Sequence, residues 1–371
     1  MNITLDWLGC ATFRLTLGET VVFLDAYMDR VPAAPPVGLS TREVTKADFV
    51  LVGHAHFDHL AGAEVIAKNT AAKIIGSHET ARVMLEQGVA REQLLVSQGG
   101  ERHRLAQDVT VRVLPSLHSC TWTSGSLNST EMVTGHLGLC EDERAALAAK
   151  QGLGATIGAR AGTGDELATQ MREHLASTVG SGSTGGALCY LIETPQGSIF
   201  WQDTSGCWTG ILRDLRPDVA LIAAAGRGNV DGEPIQGSLA QFVAREADLL
   251  RPKTIILNHH DNWMPPVTRE GGTDVTSIRE ELSRVTPWVT LLEPGYMEGT
   301  RLPGGTEFTE VFRGARRPPG ASASPPATCR AVHSAPWQSQ TTNPPPAATA
   351  ERQAKASWMT SRSSWTAPGA C

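Results

Sequence analysis

The residues most able to do chemistry directly follow the apolar run 49–52, which is typical of a buried strand. They are His54, His56, Asp58 and His59, four ligand-type residues within six positions. Side chains two apart in an extended segment point the same way, so His54 and His56 can converge on one ion. After a turn, Asp58 and His59 face a neighbouring position. Imidazole and carboxylate ligands suit zinc, and a metal with an open position lowers the pKa of its water to about 7. The pattern predicts a hydrolytic metal site, and the alternative is a histidine-rich surface loop.

Short apolar strands and amphipathic helices must position these side chains. The strands come first as a meander and then alternate with helices. This order predicts an α/β fold of two packed sheets with helices on both outer faces, a four-layer αββα sandwich. Strands are predicted at 3–8, 11–15, 21–25, 49–52, 73–76, 109–114, 188–193, 198–201, 219–223 and 254–257, and helices at 61–69, 79–87 and 239–250.

Two segments depart from this pattern. Residues 119–186 are too long for a simple loop and contain amphipathic patterns at 141–150 and 165–177. They are predicted to form a helical insertion within a domain of residues 1–312, either covering the site or contacting a second subunit in a homo-oligomer. Residues 313–371 hold nine of the 22 prolines and no Leu, Ile, Phe or Tyr. They are predicted to be a disordered tail, with a basic interaction tail as the alternative.

Charge and composition exclude several classes of protein. The net charge is −6, but the tail carries +6 and the rest of the chain −12, which disfavours binding to nucleic acid. No apolar run approaches the roughly 18–20 residues that span a bilayer, and no secretory signal is visible, so no membrane association is expected. Seven cysteines without a CxxC pair predict a reducing, cytoplasmic location rather than a disulfide framework.

At its histidine cluster the sequence resembles the metallo-β-lactamase superfamily, whose hallmark is HxHxDH after a strand. The opening segment LDWLGCATF at 5–13 resembles the ascorbate-6-phosphate-lactonase-like branch, although that branch often has His where this chain has Cys10. The resemblance covers about 1–120 and 187–300 and implies the αββα metallo-β-lactamase fold. Its further motifs are VFLD at 22–25, PSLHS at 115–119, FWQDT at 200–204 and IILNHHDNW at 255–263.

The resemblance implies a set of seven ligands for two divalent metal ions. One ion is held by His54, His56 and His118, the other by Asp58, His59 and His259, and Asp203 bridges both. His118, Asp203 and His259 each directly follow a predicted strand. Strand ends at one edge of a sandwich are where such ligands can meet.

Further residues are expected near the ions. Asp25 supports the site or caps a turn, and His259 is favoured over His260 as the ligand. His260 and Trp263 are expected to line the pocket, and His78 either lines the cleft or starts a helix.

Two such ions would share a hydroxide and polarise the substrate, with Asp58 orienting the nucleophile or receiving its proton. Zinc is expected, with manganese or iron as alternatives. The predicted reaction is hydrolysis of a small molecule with a lactone, ester or amide bond. β-Lactams are disfavoured because family enzymes that open them often lack a bridging aspartate. The alternatives are a phosphodiesterase of the same fold, an iron-dependent thiol dioxygenase-type oxidoreductase, and a binding protein whose insertion plugs the cleft.

Overall fold

The computed structural model describes residues 2–123, 129–265, 267–268 and 271–302. The predicted tail at 313–371 lies outside these ranges and stays a prediction, as does the domain boundary at 312. None of the helices in the described ranges is both long and apolar enough to cross a bilayer.

Strands and helices follow one another in the order that the pattern predicts. The strands are β1 (Ile3–Trp7), β2 (Phe13–Leu17), β3 (Thr20–Leu24), β4 (Phe49–Leu51), β5 (Lys73–Gly76), β6 (Leu94–Val96), β7 (Arg102–Ala106), β8 (Val109–Pro115), β9 (Leu188–Thr194), β10 (Gly197–Gln202), β11 (Gly206–Cys207), β12 (Val219–Ala223), β13 (Asn229–Val230), β14 (Glu233–Pro234), β15 (Thr254–Asn258), β16 (Thr290–Leu292) and β17 (Thr300–Arg301). The helices are α1 (Phe57–Leu60), α2 (Ala63–Thr70), α3 (His78–Glu86), α4 (Glu141–Gln151), α5 (Leu153–Ala161), α6 (Glu166–Ser177), α7 (Thr209–Leu212), α8 (Leu239–Leu250) and α9 (Thr276–Val285).

Two seven-stranded sheets each combine an antiparallel half with a parallel half. The first sheet has the order β17-β1-β2-β3-β4-β5-β6, and its strands run parallel from β3 to β6. The second has the order β16-β15-β12-β10-β9-β8-β7, and its strands run parallel from β10 to β16. Parallel neighbours require crossover connections, which are usually helices on a face of the sheet. A small third sheet joins β11, β13 and β14.

The sheets pack face to face through an apolar layer. It includes Leu15 and Leu24 of the first sheet and Tyr190 and Trp201 of the second, all buried. In β2 buried residues alternate with partly exposed ones, the period expected for a strand with one face on the core. Two further apolar layers join the first sheet to α2 and α3, and the second sheet to α7, α8 and α9. The four-layer αββα prediction is confirmed.

The predicted ligands follow the ends of strands from both sheets. In the first sheet, Asp25 follows β3 and the segment beginning at His54 follows β4. In the second sheet, His118, Asp203 and His259 follow β8, β10 and β15. Because the two sheets are packed together, these strand ends bring residues far apart in sequence to one edge of the sandwich.

The structure adds elements that the pattern did not predict. β6 is only three residues long and β7 is largely polar, so neither gives a clear strand signal. The described part of the insertion, residues 119–123 and 129–186, contains three helices where two were predicted. The added helix, α5, includes Gly154 and Gly158, and glycine lowers helix propensity by about 1 kcal/mol relative to alanine, which hides the helix in the sequence.

Candidate metal centre

A glycine makes room for the centre where β4 ends. A Cβ atom built on Gly53 would lie 2.0 Å from Oδ2 of Asp203, far inside van der Waals contact. Only a residue without a side chain therefore allows the Asp203 carboxylate to pack against this backbone. The next residue, His54, is fully buried and contacts that carboxylate: its Nδ1 lies 2.6 Å from Asp203 Oδ2.

The first triad consists of His54, His56 and His118. The ring centroids of these histidines are 4.6, 4.6 and 4.8 Å apart, and their ligand nitrogens lie within 4.8 Å of one another. His54 Nε2 is 3.0 Å from His56 Nδ1. Nδ1 of His118 lies 2.9 Å from the carbonyl oxygen of Ser119 and can donate to it, which leaves Nε2 free for an ion. The first triad therefore offers three imidazole nitrogens to one position.

The second triad consists of Asp58, His59 and His259. Asp58 Oδ2 lies 3.5 Å from His59 Nε2 and 3.3 Å from His259 Nε2, and the two nitrogens are 3.3 Å apart. Ligands at about 2.0–2.2 Å from a tetrahedral ion are about 3.3–3.6 Å apart. The three atoms therefore already have the spacing of one face of a zinc tetrahedron.

Asp203 connects the two triads. Its Oδ2 contacts Nδ1 of His54 at 2.6 Å and Nδ1 of His59 at 3.3 Å, so one oxygen engages a histidine of each triad. The carboxylate is fully buried, and Oδ1 has no hydrogen-bond partner among the described residues. Oδ1 is the atom that remains for an ion, and bridging through it stays a prediction.

Asp25 supports the centre from behind. Its Oδ2 accepts a hydrogen bond from Nδ1 of His59 at 2.6 Å, and its Oδ1 accepts one from the backbone N–H of Gly53 at 3.0 Å. Such a carboxylate fixes the tautomer of a histidine, so that Nε2 faces the metal. Asp25 has a left-handed φ of 54°, as do Cys10 at 48° and His259 at 60°. Non-glycine residues rarely adopt this conformation, and such strain clusters at functional sites.

Burial favours the neutral form of the first triad. It lowers the pKa of His54 and His118 well below the usual value for histidine, and it also lowers the pKa of His56. A neutral imidazole is the form that binds metal. The first triad is therefore in its ligand form at neutral pH.

The second triad is charged. Burial opposes ionisation of Asp58, but His59 and His259 outweigh it and hold its pKa well below the usual value. Burial likewise opposes a charge on His59, but Asp58, Asp25 and Asp203 outweigh it and raise the pKa of His59 well above normal. Asp25 and Asp203 lie in the same buried space, and burial raises the pKa of Asp203 and raises that of Asp25 to about 8, so a bound cation would favour the ionised form of both.

The donor set fits a pair of divalent cations. The triads supply imidazole nitrogens and a carboxylate oxygen, the ligands that zinc takes in proteins. The unpartnered Oδ1 of Asp203 and the excess of buried carboxylates are the further observations that favour cations here. All seven predicted ligands lie in these overlapping clusters.

The remaining predicted residues lie in three different places. His260 stacks on Trp7, with ring centroids 4.7 Å apart and ring planes 8° apart. Trp263 is buried and meets the ring of His259 edge-on at 5.2 Å. His78 is exposed and is the first residue of α3. Of the two predictions for it, lining the cleft or starting a helix, its position matches the second.

Two features near the second triad were not predicted. Cys10 is fully buried and joins the cluster of Asp58, His59 and His259. Its unusual identity within the opening motif was the only sequence signal. The other feature is the hydrogen bond of 2.8 Å between the hydroxyl group of Tyr27 and Nε2 of His174 in the insertion. Residues 147 positions apart give no local pattern that could have revealed it.

Comparisons with known proteins find similar sequences and a similar fold. A family model described as a beta-lactamase superfamily domain matches residues 20–150. A UPF0173 metal-dependent hydrolase of Pyrobaculum islandicum is 26% identical over 293 residues, which cover 78% of this chain and 96% of the relative. One of Koribacter versatilis is 32% identical over 125 residues, or 33% of this chain and 51% of the relative. Several curated relatives are thus matched over only about half of their length.

Among solved structures, Igni18, a metallo hydrolase of Ignicoccus hospitalis, aligns with a TM-score of 0.52 at 16% identity and covers 81% of this chain and 99% of that one. At this identity the likeness concerns the fold. The lactonase-like branch stays a prediction. The family model, the sequence relatives and the fold all support the similarity of this chain to the metallo-β-lactamase superfamily.

Proposed function

We propose that this protein is a metal-dependent hydrolase that cleaves a lactone, ester or amide bond in a small molecule at a centre of two divalent ions, with zinc expected. The observation that carries the proposal is the pair of ligand triads joined by Asp203. The names of the sequence relatives, metal-dependent hydrolases, support the same reaction class.

The chain's own residues have distinct tasks in this proposal. When bound, the ions supply Lewis acidity and a water activated for attack. Asp58 stays ionised at neutral pH because His59 and His259 lower its pKa. A carboxylate with so low a pKa is a weak base, so we assign it to orienting the nucleophile rather than to taking its proton. Asp25 holds His59 through Nδ1.

An apolar cluster beside the second triad supports a small organic substrate. Tyr27, Met171 and Trp263 are buried together, and Phe57 packs against them. Met171 lies on α6, so the insertion forms part of this wall. Apolar walls with a few convergent polar groups are typical of small-molecule sites. Phe57 is the partly exposed member of this cluster, and we propose that the apolar part of the substrate contacts it.

The compartment and the assembly are proposed on separate grounds. The cysteines at 10, 120, 140, 189 and 207 are free, as expected in a reducing cytoplasm. Met132 and Leu137 of the insertion are 60% and 54% exposed, and a second subunit would cover them. Light scattering of the purified chain tests the homo-oligomer.

Elemental analysis together with an activity screen tests the proposed function. We expect two ions per chain and hydrolysis of members of a lactone, ester and amide panel that stops with chelator and returns with zinc. Cleavage of phosphoesters alone would favour the phosphodiesterase, and iron with oxygen uptake would favour the oxidoreductase. Fully loaded protein that hydrolyses nothing in the panel would contradict the proposal.

A further inference from the structure

We propose that Cys10 is a thiolate ligand of the ion at the second triad, an inference that rests on the dinuclear centre proposed above. Cys10 lies in the turn between β1 and β2 and is fully buried. Its Sγ lies within 4.8 Å of a ligand atom of each member of the second triad, Asp58, His59 and His259. A sulfur donor of a tetrahedral zinc site lies about 3.5 Å from the other donors, which is inside this limit.

The backbone fixes Cys10 to the loop that carries a ligand. Its carbonyl oxygen accepts a hydrogen bond from the N–H of His259 at 2.8 Å, and its own N–H donates to Oδ1 of Asp261 at 3.0 Å. Asp261 is in turn buried in an ion pair with Arg30 and accepts a hydrogen bond from Tyr296. Cys10 and His259 are therefore held together by a network that does not depend on the thiol itself.

The environment of Cys10 differs from that of an ordinary core cysteine. Cys189 and Cys207 lie in the apolar layer under α8, whereas Cys10 has a carboxylate and two imidazoles around its sulfur. Sγ also lies 3.4 Å from the carbonyl oxygen of Asp58, and one face contacts the apolar cluster of Tyr27. A second observation points to an ion here. Asp203 is fully buried and contacts His59 of the second triad through Oδ2, and its Oδ1 has no hydrogen-bond partner among the described residues.

Coordination by Cys10 would make the two ions unlike. The S–H bond breaks, a sulfur–metal bond forms and the proton leaves to solvent. The second ion then has two nitrogen donors, one oxygen donor and one sulfur donor, while the first has three nitrogens. Soft thiolate ligands select zinc over manganese or magnesium. The second triad would therefore discriminate between metals more strongly than the first.

Cobalt substitution of the full chain tests the proposal. Two Co²⁺ ions loaded anaerobically should give a near-ultraviolet thiolate-to-cobalt charge-transfer band. The band should disappear in Cys10→Ser and persist in Cys120→Ser, since Cys120 is equally buried but belongs to neither triad. Zinc affinity at the second triad should fall at least about tenfold in Cys10→Ser, the lower end of what loss of a supporting group costs. X-ray absorption of the zinc protein should show sulfur at about 2.3 Å.

The outcomes separate this proposal from the proposed function. Two cobalt ions per chain without the band, or with a band that survives Cys10→Ser, overturn the assignment of Cys10 and leave the dinuclear centre intact. Fewer than two ions per chain contradict the dinuclear centre itself. If Cys10→Ser does not fold, Cys10→His keeps a metal-binding side chain at the position and should bind two ions without the band.

Discussion

The two triads share Asp203 but differ in charge. In the first triad, burial lowers the pKa of His54, His56 and His118. These imidazoles are therefore neutral at physiological pH. The second combines an ionised carboxylate with His59, whose pKa the surrounding carboxylates raise. The ionised carboxylate of Asp58 attracts a divalent cation more strongly than the neutral imidazoles of the first triad do, and His59 must release its proton when an ion binds. We infer that metal affinity depends mainly on electrostatic attraction at the second triad and mainly on ligand geometry at the first.

The triads also differ in what holds their histidines. Nδ1 of His118 contacts a backbone carbonyl, whereas Nδ1 of His59 donates to the buried carboxylate of Asp25. A carboxylate behind a histidine raises the basicity of the ligand, and loss of such a partner weakens metal binding. Variants that remove one support at a time should therefore affect the triads unequally.

The largest effect is expected from His56→Ala, which removes a ligand of the first triad. Bound metal should fall from two ions to one, and activity should fall on the order of 10²–10³-fold, as after loss of a preorganised electrostatic group. Elemental analysis and the hydrolytic rate measure both. His103→Ala is the control, since His103 lies on β7 and contacts Ser97 at 3.0 Å. Equal metal content in the two variants would refute the assignment of the first triad.

Asp25→Asn should weaken the second triad selectively. The neutral amide cannot replace the charged carboxylate that accepts the hydrogen bond from His59 Nδ1. Metal affinity at the second triad should therefore fall about 10–100-fold. Competition with a chelator of known affinity measures each ion. Asp48→Asn is the control, because Asp48 is an exposed aspartate directly before β4 that accepts a hydrogen bond from the backbone of Val21. An equal loss at both triads would contradict the difference between them.

The sequence predicted the parts of this centre that local patterns encode. The segment from His54 to His59 lies at a strand end. His118, Asp203 and His259 were implied by the family resemblance, and each also follows a strand with an apolar run. The pairing of the strands then brings them together. The four-layer fold was predicted for the same reason, since alternating strands and helices leave few arrangements.

Contacts between distant segments could not be predicted. The partner of Asp25 is His59, 34 positions away, and the place of Cys10 depends on a loop about 250 positions away. Nothing in the spacing of these residues fixes how close the side chains come. The packing of the insertion could not be predicted from the sequence either, because its contact with Tyr27 depends on how α6 lies against the sandwich.

Glu246→Gln probes a buried group behind Asp203. Glu246 is fully buried, accepts a hydrogen bond from Gln202 at 3.0 Å, and burial raises its pKa to about 8. Gln202 precedes Asp203, and its carbonyl oxygen accepts a hydrogen bond from Asn258, the neighbour of His259. The support therefore lies behind the shared carboxylate and the second triad.

The sign of the pH effect follows from this raised pKa. Between about pH 4.5 and 8 the unfolded chain binds fewer protons at Glu246 than the folded chain, so stability falls as pH rises. From pH 6 to 7.5 the wild type should lose about 2 kcal/mol at this group. Glu246→Gln should remove that loss, as measured by urea unfolding at both pH values. The exposed Glu92→Gln is the control, and parallel behaviour of both variants would exclude a role for Glu246 in the pH dependence.

The smallest effect is expected from His174→Phe, which breaks the contact between the insertion and the wall beside the second triad. The hydroxyl group of Tyr27, a buried residue, loses its partner at 2.8 Å, at a cost of about 1 kcal/mol. The melting temperature should fall by about 2–4 °C, and KM should rise while the metal content stays at the wild-type value. His78→Ala, at an exposed position, should change neither quantity. If His174→Phe instead released metal, the insertion would support the second triad directly, and the two triads would then differ in tertiary support as well as in charge.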